Sequence, residues 1–120
     1  MNEQFVPYEI AIKLEEKGFN DVCLGFYRND TQKLLVNNTF ADRAYYEGRV
    51  PLIQAPLWQQ VIDWLRDNHN IDIFIEPGGK PKMYAVFVDG DWIYENTKNR
   101  MLYSYKEARQ AAIEHALTLI

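Results

Sequence analysis

Apolar positions along this chain recur at helical spacing in three stretches, with short alternating or continuous apolar runs between them. The first helical stretch begins at Pro7. Proline suits a first turn because its missing N–H has no partner there anyway. Glu9 complements the positive end of the helix dipole. Ile10, Ala11 and Leu14 form one stripe, widened by Tyr8 and Ile12. Gly18 after Lys17 predicts a stop in the left-handed conformation, with Phe19 folding back on the last turn.

The second helix is predicted from near Pro56 to about Asn68. Trp58, Val61, Ile62 and Leu65 make its buried stripe, and Leu57 and Trp64 extend it to one flank. The third helix carries the strongest local signal. Ser104 and Glu107 fit a capping box, and Ala108, Ala112 and Ala116 recur every four residues beside Ile113, Leu117 and Ile120. Small residues along one stripe let such a helix lie close on a sheet.

The runs between the helices read as strands. Val22 to Tyr27 contains a Gly that marks a bulge or a close approach, and Lys33 to Val36 returns after Asn29-Asp30-Thr31 as a hairpin partner. Ile71 to Glu76, Met83 to Val88 and Trp92 to Glu95 follow, with a loop at Pro77-Gly78-Gly79-Lys80-Pro81. Asp89-Gly90 between apolar runs is a strong hairpin signal, because Gly accepts positive φ at little cost. The stretch 37–55 reads as a short strand or an ordered loop around Tyr45 and Tyr46.

The order is α-β-β-α-β-β-β-α. Short turns between strands favour an antiparallel or mixed sheet of about four to five strands with three helices. The expectation is one α+β domain over residues 1–120, in two layers.

Composition changes this picture in two ways. Aromatics reach 14%, so some rings can be left facing solvent. The net charge is −4, which disfavours wholesale binding to a phosphate backbone and leaves only a local basic patch for that purpose. The single cysteine, Cys23, cannot form an internal disulfide. No apolar run is long enough to span a membrane, and Met1 to Gln4 lacks the features of a secretory signal. A cytoplasmic protein is therefore expected, and the two Asn-x-Thr matches at Asn29 and Asn37 read as polar loop residues.

Candidate chemistry is thin. Asp89 and Asp91 could share a cation, but the further oxygen ligands a hard cation needs are missing, so a turn is the better reading. His69 and His115 have no metal-binding spacing. Cys23 sits between Val22 and Leu24 in an apolar pattern that fits a buried thiol rather than a nucleophile. Pro77 to Lys80 lacks the phosphate-loop pattern. No cofactor, metal or catalytic residue is expected.

Two surfaces stand out instead. Tyr45, Tyr46, Leu57 and Trp64 are an apolar excess that could cover the core or form an interaction surface, and Leu52 and Ile53 lie among them. Lys98, Arg100, Tyr103, Lys106 and Arg109 interleave bases with rings, as a single-stranded nucleic acid or an acidic partner would require. Met101, Tyr105, Lys80 and Lys82 belong to the same neighbourhood.

Val6-Pro7-Tyr8-Glu9-Ile10-Ala11, Lys13-Leu14, Glu16-Lys17-Gly18-Phe19, Ala55-Pro56, Gln59-Gln60-Val61, Asp63-Trp64, Arg66, Tyr105, Glu107-Ala108, Ala111-Ala112-Ile113 and Ala116-Leu117 run through most of the chain. Together they resemble a family of small uncharacterised proteins from Bacteroides-type gut bacteria and their phages or mobile elements. The segment from Asn29 to Val50 lies outside the resemblance. It implies a bacterial or prophage origin and no catalytic residues. The leading expectation is a non-enzymatic accessory protein acting through protein–protein contact or self-association. The alternatives are a nucleic-acid-associated module using the 98–109 segment, and a small hydrolase or transferase gathering Asp89 or Asp91, a His and Cys23.

Overall fold

The computed structural model describes residues 2–36, 41, 43, 45, 48, 51–77, 83–93 and 104–120. The chain divides into two compact units, Met1–Gln60 and Val61–Ile120, and the division falls within a helix.

In the first unit a 3-10 turn at Asn2–Gln4 leads to α1 (Tyr8–Glu16). Pro7 is the N-cap, with extended φ −68° and ψ 163°, so it precedes the first helical turn rather than occupying it. Its carbonyl accepts the N–H groups of Ile10 and Ala11. The helix ends as its sequence predicts. Gly18 adopts φ +93°, the Gly18 N–H donates to the Glu15 carbonyl at 3.1 Å, and the Phe19 N–H donates to the Leu14 carbonyl at 2.9 Å. This pair of hydrogen bonds is the Schellman pattern, and it returns Phe19 to the core.

Strands β1 (Gly25–Arg28), β2 (Leu34–Val36) and β3 (Leu52–Ala55) form an antiparallel sheet in the order β2-β1-β3. β1 starts at Gly25 rather than Val22, and Val22 and Leu24 lie exposed on either side of the buried Cys23. Gly25 marks a close approach. A Cβ there would meet Phe5 Cε1 at 3.0 Å, Leu34 Cδ1 at 3.3 Å and the Leu35 carbonyl oxygen at 3.4 Å. β3 is buried throughout and packs against α1, which turns Ile10, Ala11 and Leu14 inward. Beyond it the Pro56 carbonyl accepts the Val6 N–H, and Leu57 bridges Phe5. Ala41, Arg43 and Tyr45 are helical, where a strand or loop is predicted. Ala41 joins Phe26 and Leu52 in a small buried cluster, with Leu35 and Tyr45 packed on it.

The helix at the division, α2 (Trp58–His69), buries Trp58, Val61, Trp64 and Leu65, while Ile62 is half-buried. Beyond it, β4 (Ile73–Pro77), β5 (Tyr84–Val88) and β6 (Asp91–Ile93) form a second antiparallel sheet in that order. Asp89 and Gly90 join β5 to β6 with φ values of 53° and 87°. Two positive φ angles define the type I′ turn, whose twist matches that of the strands it joins. α3 (Tyr105–Leu117) packs on β5 and β4 through Ala108, Ala112, Ile113, Ala116 and Leu117. Its capping box is complete, with Glu107 N–H donating to Ser104 Oγ at 3.3 Å and Ser104 N–H donating to Glu107 Oε1 at 3.1 Å.

The class is α+β, with three helices and six strands of described range, besides the helical residues Ala41, Arg43 and Tyr45. The strands form two three-stranded antiparallel sheets, not one sheet of four or five. The added strand is β3, between Pro51 and Pro56, which gives the described order α-β-β-β-α-β-β-β-α.

Two substitutions test these local causes. Ser104→Ala removes a cap and is expected to lower the unfolding free energy by about 1 kcal/mol in urea titration, whereas Ser104→Asp restores most of it. Gly25→Val is expected to cost about 1–3 kcal/mol through overpacking, and Phe5→Leu in the same chain recovers part of the loss.

Candidate functional site

Cys23 is buried, and its Sγ donates to the Asp21 carbonyl at 3.3 Å. Burial, with the Asp21 carboxylate adding to it, pushes the thiol up to about 12, and a hydrogen bond from Gln60 only partly offsets the rise. At neutral pH the group is a protonated thiol, which is a poor nucleophile. Tyr27 is similar. Its hydroxyl donates to the Val6 carbonyl at 2.6 Å, and burial together with the Glu9 carboxylate holds its pKa above 10.0.

The other sequence candidates have local roles. His69 is half-buried and meets the Trp64 ring edge-on at 4.7 Å, and His115 is half-buried in the last turn of α3. Asp89 forms the turn and Asp91 opens β6, so this pair serves the hairpin. Among the described residues, no group of three or more His, Cys, Asp and Glu is placed to hold a metal ion. Gln54 is a buried polar residue on β3 whose Oε1 has no hydrogen-bond partner among the described residues, and it shares its face with Phe26 and Leu52.

A cleft of about 420 Å³ lies in the first unit, with Ile12, Leu52 and Ile53 as its apolar lining and Glu15, Glu16 and Asn29 as its polar lining. Tyr8 donates its hydroxyl hydrogen to Asn29 Oδ1. Glu15 and Glu16 are consecutive on α1, so they diverge by about 100° and form no carboxylate pair for acid–base work. No nucleophile or imidazole is among the lining residues of this cleft.

The apolar candidates are placed differently from a shared surface. Trp64 is in the core at 5% exposure, Leu57 is half-buried beside Phe5, and Tyr45 packs on Phe26 with ring centroids 4.9 Å apart. Leu52 and Ile53 are both core residues of β3. Tyr46 lies outside the described residues, as do Gly78 to Lys80, Lys82, Lys98, Arg100, Met101 and Tyr103. Of the basic segment, Lys106 is exposed, and Arg109 lies half-buried with its guanidinium 5.3 Å from the Tyr105 ring centroid. Tyr105 in turn meets Tyr84 edge-on at 5.3 Å.

The feature with the clearest functional geometry is on the second sheet. The register pairs Phe74 with Phe87 and Phe87 with Trp92, so three aromatic residues form one row across three strands. Directly paired residues share a face, and alternation puts Ile73, Ile75, Val86 and Val88 on the other, where α3 packs. The Phe87 and Trp92 rings are stacked at 5.9 Å with an interplanar angle of 18°. Phe74 is 55% exposed and Trp92 47% exposed, with Phe87 half-buried between them. Asp72 and Glu76 lie two residues either side of Phe74 on the same strand line, and both are exposed. Asp89 is beside Asp72, donating its N–H to the Asp72 carbonyl at 2.7 Å.

Sequence reasoning placed these rings in three separate strands and did not group them. The signal that finds them is the Asp89-Gly90 turn. It fixes the pair Val88–Asp91, which puts Phe87 opposite Trp92.

Raised pKa values make an alkaline prediction. Cys23 and Tyr27 bind their protons more tightly in the folded chain than at their ordinary values of 9.0 and 10.0. Their contribution is therefore fully present below about pH 9 and is lost as pH rises toward the folded values. Denaturant midpoints should fall between pH 9 and 12, and Cys23→Ala with Tyr27→Phe should flatten that fall. Iodoacetamide at pH 8 should leave Cys23 unmodified in the folded chain and alkylate it in urea, as read by mass spectrometry.

Comparison with family models, curated proteins and solved structures found no match. Among the described residues, no helix is long and apolar enough to cross a membrane.

Proposed function

We propose that this chain is a non-enzymatic accessory protein that acts by protein–protein contact through the open face of the β4-β5-β6 sheet. The row Phe74–Phe87–Trp92 carries this reading. Aromatic side chains are enriched at the centres of protein interfaces, where they bring large rigid area at little conformational cost. Single exposed apolar residues need no explanation, but a contiguous row does. The other face of the same sheet is covered by α3, so the row is left as surface of an otherwise well-packed layer.

The chemistry of the remaining groups supports the non-enzymatic half of the reading. Cys23 is held as a thiol and the cleft carboxylates diverge. The contact surface proposed here is not the one built from Tyr45, Tyr46, Leu57 and Trp64, because Trp64 is core and Tyr45 is packed on Phe26. The nucleic-acid alternative has less support, since Arg109 is already engaged with Tyr105 and the aromatic row is edged by carboxylates. A cytoplasmic setting suits a chain with one cysteine, and the bacterial or prophage origin implied by the helix motifs belongs to the same proposal.

The test compares the wild type with the Phe74→Ala/Trp92→Ala variant in affinity capture from bacterial lysate, with circular dichroism to verify that both are folded. Sedimentation of each chain alone reads self-association. A partner, or a self-associated species, present for the wild type and lost for the variant supports the reading. Equal behaviour of the two chains sinks it.

A further inference from the structure

We infer that the segment seated on the aromatic row is an extended cationic strand, presenting two basic side chains four residues apart with an apolar side chain between them. This inference rests on the protein-contact reading above and names the partner's chemistry.

The carboxylates of the second sheet differ from those held in ion pairs elsewhere. Asp30 is held by Arg28 at 2.9 Å, and Asp63 and Asp67 are held by Arg66 at 3.1 and 3.4 Å. These acids are matched by a neighbouring guanidinium. The acids around the aromatic row are not. Among the described residues, Asp72, Glu76 and Asp89 take part in no ion pair. A partner's cation would therefore meet carboxylates that no cation among the described residues engages.

Spacing then sets the form of the partner. Asp72 and Asp89 adjoin one side of the row, and Glu76 lies on the other. Four steps along an extended strand cover about 13 Å, so the carboxylates of Asp72 and Glu76 lie roughly that far apart with Phe74 midway. An extended partner has the same rise per residue. Its side chains at i and i+4 would match the two acidic ends, and the one at i+2, on the same face, would lie over Phe74 at the start of the row, with Phe87 beside it. Arginine suits the outer positions best, because its guanidinium pairs with a carboxylate and can also stack on an aromatic face.

The same charges argue against two other occupants. A second copy of this chain on the face would bring Asp72, Asp89 and Glu76 against their own counterparts. A nucleic acid would bring phosphates to the same carboxylates.

The experiment uses fluorescein-labelled threonine-rich peptides, read by anisotropy against the full chain. One carries Arg-Thr-Leu-Thr-Arg at its centre, a second carries Glu at both arginine positions, and a third carries the two arginines side by side. A labelled single-stranded oligothymidylate is the fourth probe. The spaced arginine peptide is expected to bind at least about tenfold more tightly than the glutamate peptide, and more tightly than the adjacent-arginine peptide. That preference should collapse in 0.5 M salt and in the Asp72→Asn/Glu76→Gln variant, and all peptide binding should vanish in Phe74→Ala/Trp92→Ala. Equal binding of the arginine and glutamate peptides overturns the inference. So does an unchanged preference in the charge variant, no arginine-peptide binding at millimolar concentration, or tighter binding of the oligothymidylate. Any of these leaves the contact reading standing if the captured partner is still lost from the aromatic variant. Retention of that partner by the aromatic variant sinks the contact reading itself.

Discussion

The two positive φ angles at Asp89 and Gly90 fix more of the second unit than any other local feature. They close a two-residue hairpin, and the hairpin sets Val88 opposite Asp91. Because side chains alternate with a period of two, that one pairing decides every other position on β5 and β6. It sends Val86 and Val88 toward α3, and it lines Phe87 up with Trp92. A slip of one residue would exchange the faces. Phe87 would then be driven against the alanine stripe of α3, which has no room for it. The buried core and the exposed row are thus two results of one turn.

The alanines explain why the row does not belong to the face under α3. Ala108, Ala112 and Ala116 let α3 lie close on the inner face, where Val86 and Val88 fill the narrow gap. The outer face gets no such helix within the described residues of its unit. A fully buried aromatic side chain removes about 150–250 Å² from water. Phe74 and Trp92, each about half exposed, therefore leave roughly 200 Å² between them, with Phe87 adding less. At about 25 cal/mol per Å², covering that area yields roughly 5 kcal/mol before the losses of association are subtracted. A standard interface buries about 800 Å² on each partner. The row alone is thus an anchor and not a complete interface. A partner on the proposed surface would have to gain the rest from contacts around the row, which gives the flanking carboxylates their weight in the proposal.

How much of this was legible in the sequence depends on whether a signal was local. The ends of α1 and α3 were, because Gly18 and the Ser104–Glu107 box act through backbone groups a few residues away. The Asp89-Gly90 turn was legible for the same reason. β3 was not. It is four residues long and buried on both faces, so it shows no alternation, and only its pairing with β1 makes it a strand. The helical residues Ala41, Arg43 and Tyr45 lie in a stretch whose apolar spacing favoured neither period. Trp64 shows the opposite limit. Its position on the flank of a predicted stripe made it a surface candidate, yet the structure turns it inward, and Ile62 on the predicted stripe is only half-buried. A helix shows its stripe in sequence, but its exact rotation depends on what it packs against.

The candidate site was the least legible part because its residue types point the wrong way. Phenylalanine and tryptophan in a strand usually mean core, and a carboxylate two residues away usually means solvent. Both readings hold for each residue taken singly. Only the register makes three separate rings into one row, and only the ion-pair pattern separates matched acids from unmatched ones. Asp63 and Asp67 have Arg66 within reach on their own helix. Asp72 directly precedes β4 and Glu76 lies on it, and their neighbours on the adjoining strand line are Asp89 and Ala85, neither of them a cation. Among the described residues, the charges bordering the row are therefore negative, and an incoming positive group would meet them beside rings that can bury its aliphatic stem.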